Sequence, residues 1–310
     1  MKEYKSLFIK IVIFLVVIVA VDFCCGKLFR LLELKALDRS PYGMPVENAM
    51  WKVDKDVVII GASEACHSII PQVLEDSLGL SVCNCGQDGC RFYIQNAMIN
   101  GLVDRYSPKM ILWSVSPTLL RPPSEQDKGK LSLLNPFYRD KLQAREALKT
   151  KSRYEPIKLL SQSYVYNSRL MTYCHKIIMP DKENESNGYV PLHGCIKDKE
   201  IQDREWNRNF DTVVTSVFLK TITKCKLNNV QVVLVFVPRF ANDNYQQEET
   251  YIELKKIVEE HGIDLIEDFY HYDALMDAKY FKDVPHLNEE GAVIFSSLLS
   301  SKINKLSTPN

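Results

Sequence analysis

Three residues in this chain are of the types that nucleophilic catalysis needs, and they lie at opposite ends of it: Ser63, Asp283 and His286. A serine hydroxyl is a poor nucleophile at neutral pH and needs a neighbouring base to take its proton. An imidazole does that when a carboxylate fixes its tautomer and orientation through the other ring nitrogen. Only Val284 and Pro285 separate Asp283 from His286, so on a rigid loop one can orient the other. The chemistry such a set supports is attack on an acyl carbonyl, which also calls for donors aimed at the oxygen that becomes negative. Ser63 equally suits capping the helix that follows it, and Asp283 capping its own loop. The functional reading therefore depends on the fold bringing the three together.

The elements that must position them are legible as apolar runs. Val57-Val58-Ile59-Ile60 leads into Gly61-Ala62-Ser63, with a helix predicted over 65–78. This reads as a buried strand delivering a serine onto a sharp turn at its carboxyl end, where open α/β sheets hold ligands. A second strand is predicted over 80–84, followed by Asn84-Cys85-Gly86-Gln87-Asp88-Gly89, and a helix over 92–103. A third strand over 109–115 runs into Ser116-Pro117-Thr118. Strands alternating with helices imply a parallel sheet covered on both faces, an α/β/α arrangement of three layers.

From about 121 to 206 the pattern is helical and charged, without a convincing strand, and reads as an insertion. Within it, 182–188 is a polar loop and 188–194 a structured one. The sheet then resumes: a helix over 209–228, a strand over 230–237, a helix over 248–261, a strand over 264–267 and a final helix over 289–306.

The amino terminus differs from the rest. Residues 7–21 are apolar but for Lys10, and 7–25 has the length of one membrane-spanning helix. Lys10 lies within a turn of the segment's start and can snorkel to the headgroups. Val21-Asp22-Phe23 lacks the small residues of a signal cleavage site, and Asp22-Phe23 before Cys24 is wrong for a lipoprotein signal. An uncleaved anchor is expected. Lys2, Lys5 and Lys10 favour a cytoplasmic tail and an extracytoplasmic domain, although Lys27, Arg30, Lys35 and Arg39 flank the other end. The expected organisation is a tail and transmembrane anchor over 1–26, a juxtamembrane linker over 27–50, and the α/β domain over 51–306.

Lysine plus arginine equals aspartate plus glutamate at 39 each, which gives no electrostatic case for a nucleic-acid partner. Nine cysteines are many, but their spacing fits no metal framework. Cys83 and Cys85 are expected to face opposite sides of a strand. A zinc site from Cys66, His67, Cys83, Cys85 and Cys90 competes with the plainer reading of small buried hydrophobes. No metal or cofactor is expected. His67, His175 and His193 have no carboxylate at a useful sequence spacing, though His67 lies near Ser63.

Over about 57–299 the chain resembles the SGNH (GDSL-like) hydrolase superfamily. Ile59-Ile60-Gly61-Ala62-Ser63 is similar to its first block, which more often reads Gly-Asp-Ser; Ala62 is a departure. The Asn84 to Gly89 run is similar to the second, and Asp283-Val284-Pro285-His286 followed by Leu287-Asn288-Glu289-Glu290-Gly291-Ala292 to the fifth. The resemblance implies a mainly parallel sheet of the SGNH-hydrolase or flavodoxin-like kind. It also implies Ser63 as nucleophile, His286 as base and Asp283 as its orienting carboxylate. The oxyanion donors would be the Ser63 amide and the Gly89 amide, with Gly86 as fallback. At the third block the family's asparagine is absent; Thr118 stands about where it should be and offers a hydroxyl at best. The implied reaction is ester hydrolysis or acyl transfer on a small-molecule or glycan ester, including O-acylated cell-envelope glycans. The alternative is a catalytically impaired module that keeps the fold for binding or assembly beside a membrane.

Overall fold

The computed structural model describes every residue except 1, 182–185, 198–201, 204–208, 243 and 308–310. Five parallel strands make the main sheet: β1 (Val57–Ile60), β2 (Val82–Asn84), β3 (Met110–Ser114), β4 (Gln231–Val235) and β5 (Asp264–Ile266). Their order across the sheet is β2-β1-β3-β4-β5. Every residue of β1 and β3 is buried, which is why both read as unbroken apolar runs rather than alternating ones.

On one face, Val57, Ile59, Leu112 and Val235 share a core with Leu74 of the Pro71–Leu78 helix and Phe295 and Leu299 of the Glu289–Ser307 helix. On the other, Trp113 packs between Phe92 and Phe218, at ring-centroid distances of 6.2 and 5.5 Å. These rings belong to the Phe92–Val103 and Thr212–Leu227 helices. The buried indole nitrogen donates to Gln95 Oε1 at 2.8 Å, so the core carries no unpaired donor there. The result is the expected three-layer α/β/α fold. The strand order reverses direction at β1, between β2 and β3, and the carboxyl ends at such a point form a natural crevice.

Several boundaries differ from expectation. The helix predicted over 65–78 is two helices, Ser63–Ser68 and Pro71–Leu78. Ile70 is extended (φ −94°, ψ 111°), as a residue before proline prefers. Cys83 and Cys85 do not face opposite ways: their sulfurs lie 3.9 Å apart. Residues two apart on an extended chain share a face, and it is successive residues that alternate. A two-residue strand, Gln202–Asp203, pairs with Ala241–Asn242 where no strand was expected.

The chain divides into two compact units, one of Pro41–Lys130 with Asp181–Asn310 and the other of Met1–Ser40 with Leu131–Pro180. The first holds the sheet. In the second, a single helix runs unbroken over Lys2–Arg39. Among the described residues it is one helix long and apolar enough to cross a membrane, a test a signal sequence also passes. Of the insertion expected over about 121–206, residues 131–180 belong to this second unit, while Trp206 and residues 182–185 of the expected loop lie outside the described residues. Asp22 of the long helix accepts hydrogen bonds from Ser161 Oγ (2.7 Å) and from the Gln162 and Ser163 amides (2.7 and 2.9 Å). At Gly26 the backbones meet so closely that an added Cβ would lie 2.3 Å from Gln162 Cβ.

Candidate active site

Ser63 is the first residue of the short helix that follows β1, half-buried at the sheet's carboxyl edge. The approach is tight: a Cβ on Gly61 would lie 2.5 Å from Ala65 Cβ and 2.8 Å from Ser114 Cβ, so only glycine lets the turn seat against β3. Asn84, at the end of β2, clamps the same turn from the other side. Its buried Nδ2 donates to the Ala65 and Ile69 carbonyls at 2.8 Å each, while Oδ1 accepts from the Gly86 amide at 2.8 Å. The amide of Gly86 is thus committed, which removes it as the fallback oxyanion donor.

Asp283 and His286 lie not on an open loop but on a tight hairpin, β6 (Phe281–Asp283) paired antiparallel with β7 (His286–Leu287), with Val284 and Pro285 at its tip. Asp283 Oδ1 accepts from His286 Nδ1 at 2.7 Å and from the His286 amide at 3.1 Å. Donation from Nδ1–H to this carboxylate sets the tautomer that leaves a lone pair on Nε2. That nitrogen lies 2.7 Å from Ser63 Oγ. Glu64 Oε2 is a weaker neighbour of the same hydroxyl, at 3.5 Å. Asp283, His286 and Ser63 therefore form one continuous chain of hydrogen bonds, oriented for proton transfer from hydroxyl to imidazole.

Gly89 and Thr118 sit on the loops after β2 and β3, the two neighbours of β1. Gly89 has φ +71°, a left-handed conformation that glycine adopts without strain. Thr118 is buried, and its hydroxyl is paired with Ser116 Oγ at 3.1 Å.

A segment over 187–196 is hydrogen-bonded to both the serine helix and the histidine hairpin. The Asn84 amide donates to the Asn187 carbonyl and the Val190 amide to that of Cys66; the Ile196 amide donates to the Phe281 carbonyl, and Asn288 Nδ2 to that of Gly194. Gly188 passes so close to β2 that a Cβ would lie 2.0 Å from the Asn84 carbonyl oxygen.

This segment also exposes a site residue the sequence leaves unpaired. His67 Nδ1 donates to the Val190 carbonyl at 2.8 Å, and its Nε2 faces Asp88 Oδ1 at 3.2 Å. Both partners are acceptors, so the ring is satisfied when both nitrogens carry protons, as an imidazolium. Burial opposes that charge, but the bonds to Asp88 and Val190 outweigh it and raise the His67 pKa above its ordinary value. The bond to His67 correspondingly lowers that of Asp88. The His67 ring meets that of His286 edge-on, with centroids 5.5 Å apart. When His67 is protonated, its positive charge lies beside the His286 ring. Contrary to expectation His67 does have a carboxylate partner, and so does His193, with Glu289 at 3.2 Å. Twenty-one residues separate His67 from Asp88, and no periodic pattern relates them.

Cys66, His67 and Asp88 bring three potential metal-ligand atoms within 4.8 Å of one another, a donor set of the kind zinc accepts. Both His67 nitrogens are already engaged, so a metal would have to displace the Asp88 contact. Burial pushes the Cys83 thiol well above its ordinary pKa, and Cys85 and Cys90 are buried too. A thiol held protonated is neither a ready nucleophile nor a ready ligand.

No protein-family model matches the chain, and no curated protein matches it. Among solved structures, the chain is similar to a candidate acylhydrolase from Bacteroides fragilis NCTC 9343. The two are 13% identical, with 81% of this chain and 86% of that chain covered and a TM-score of 0.40. A likeness that faint carries no argument about chemistry.

Proposed function

We propose that this chain is a serine-dependent ester hydrolase or acyltransferase of the SGNH type. The observation that carries the reading is the unbroken Asp283–His286–Ser63 hydrogen-bond chain, with both side-chain links at 2.7 Å. Ser63 Oγ attacks the ester carbonyl while His286 Nε2 takes its proton and Asp283 holds the ring. The tetrahedral oxyanion is met by the Ser63 and Gly89 amides and by the Thr118 hydroxyl. On collapse, the imidazolium returns its proton to the departing alcohol, leaving an acyl group on Ser63. Water then releases the acid, or an acceptor hydroxyl takes up the acyl group. No metal enters these steps. The substrate class is a small-molecule or glycan ester, and for an envelope-anchored protein O-acylated glycans fit the resemblance.

The amino-terminal helix serves in this reading as an uncleaved anchor over 1–26, followed by a juxtamembrane stretch to about 50, and holds the α/β domain over 51–306 on the extracytoplasmic side. Support comes from the apolar run over 7–21 and the basic tail before it.

A fluorophosphonate probe on the full chain in detergent tests the proposal. Wild-type protein should label at Ser63, and S63A and H286A should not. Hydrolysis of a p-nitrophenyl acyl ester should fall in parallel. Absence of wild-type labelling and turnover would instead favour the catalytically impaired binding module.

A further inference from the structure

The unit formed by residues 1–40 and 131–180 carries features that the ester chemistry does not use. The whole chain is neutral, yet residues 131–180 hold nine Lys or Arg against three Asp or Glu. Two of those three acids are engaged by lysines of the same stretch: Glu146 with Lys149 at 2.7 Å and Glu155 with Lys158 at 2.9 Å. The basic excess is therefore concentrated in one compact unit, the one that contains the long apolar helix.

The same unit exposes apolar side chains in helical register. Met171 and Ile178 on the Leu170–Ile178 helix are 81% and 75% exposed and lie two turns apart on one face, while Tyr173 on the opposite face is fully buried. Ile157 and Leu160, three residues apart, are 66% and 71% exposed. Single exposed apolar residues need no explanation, but facing pairs beside a basic surplus have the composition of an interfacial membrane surface.

Geometry fixes how near this surface lies to the apolar helix. At 1.5 Å per residue, crossing about 30 Å of hydrocarbon takes about 20 residues. Counted from Leu7, such a span ends near Gly26, so Asp22 falls in its last turn, close to the headgroups. A carboxylate there is costly unless its oxygens are bonded. Ser161 Oγ and the Gln162 and Ser163 amides bond them. Leu160 immediately precedes Ser161. Its exposed side chain is consequently held at the level where the helix leaves the bilayer.

Resting on the reading of the amino-terminal helix as a membrane anchor, we propose that residues 131–180 form a basic, apolar collar that docks on an anionic phospholipid surface around that exit point. The surplus of basic over acidic side chains in 131–180, Arg153 among them, supplies attraction to phosphate-rich headgroups, while Leu160, Ile157, Met171 and Ile178 enter the interfacial layer. Each basic residue near such a surface strengthens binding about fivefold, so a few suffice for a strong lipid preference.

Photocrosslinking tests this on the native full chain in liposomes, using phosphatidylglycerol with a diazirine near its glycerol backbone and mapping adducts by peptide mass spectrometry. Adducts are expected over 7–21 and also over 154–160 and 170–179. Labelling of the two collar peptides should fall about fivefold or more when a phosphatidylcholine analogue replaces the anionic lipid, and likewise in K149Q/R153Q. Adducts confined to 7–21 would overturn the collar while leaving the anchor intact. No adducts at 7–21 would overturn the anchor reading, and the collar with it. Equal collar labelling from both lipids would overturn the requirement for anionic charge.

Discussion

His286 Nε2 lies 2.7 Å from Ser63 Oγ across 223 residues of sequence. The contact survives because each partner is held from behind: Ser63 by the Asn84 clamp on its helix, and His286 by a hairpin in which one oxygen of Asp283 holds both ring and backbone. Preorganisation of this kind is what distinguishes a working nucleophile from a chance hydroxyl–imidazole pair. Replacing Asp283 should therefore damage the transition state more than binding. D283N is expected to lower kcat by about a hundredfold to ten-thousandfold with little change in KM, because an amide cannot both hold the Nδ1 proton and stabilise the imidazolium. Steady-state kinetics on a chromogenic ester would check it. A rise in KM with kcat unchanged would contradict the assigned role.

Thr118 is the weakest member of the proposed oxyanion set, since it stands where a longer amide side chain would reach further. Its hydroxyl is already paired with Ser116, so one of the two oxygens can donate outward. If that donor meets the oxyanion, T118V should reduce kcat by about a hundredfold, the usual effect of losing one such donor, while T118S retains most activity. Values for T118V within twofold of wild type would remove Thr118 from the mechanism.

Asn84 should matter to stability as much as to catalysis. Its side chain satisfies two carbonyls and one amide in a buried place, so N84A would leave three polar groups without their partner. At about 1 kcal/mol or more for each, a destabilisation of about 3 kcal/mol is expected in urea unfolding followed by tryptophan fluorescence. G188A should be similarly harmful for a different reason: its φ of +94° is strained for alanine, and the new Cβ would meet the Asn84 carbonyl. A loss below 1 kcal/mol in N84A would mean its side chain is not what clamps the serine turn, and the same result in G188A would mean the 187–196 segment is not what ties the site together.

What could be read before folding was whatever is encoded locally or by long apolar runs. The strands β1 and β3 are buried throughout and β4 at every residue but Gln231, and their nearly continuous apolar residues announce it. Asp283 and His286 are three residues apart and oriented by the hairpin between them, so their pairing is legible too. The break at Ile69–Ile70 is encoded by Pro71, which disfavours a helical conformation in the residue before it. Other features were beyond local pattern. The attachment of 131–180 to the amino-terminal helix rests on Asp22 reaching backbone amides 140 residues away, which no periodicity encodes. The pairing of His67 with Asp88 depends on β1 and β2 being neighbours and on a third segment supplying the Val190 carbonyl. Sequence spacing within one element cannot register an interaction that takes three.

That pair carries the last prediction. His67 is buried and faces the Val190 carbonyl, Asp88, the edge of His286 and, at longer range, the charge of Asp283. Its pKa is raised in the folded protein from an ordinary 6.5, so folding is favoured by binding its proton. That contribution is complete below about pH 6.5 and is lost as pH rises through the folded value. Asp88 is lowered from an ordinary 3.8, so its contribution is complete above about pH 3.8 and is lost as pH falls through its folded value. The ion pair therefore supports the fold fully in mildly acidic solution, between these two limits. The difference in urea midpoint between wild type and D88N should be largest near pH 5 to 6 and should shrink towards pH 9. Asp88 is 64% exposed, so the difference should also diminish in 1 M salt. A stability difference flat across pH would show that the His67–Asp88 pair does not support the fold through its charges.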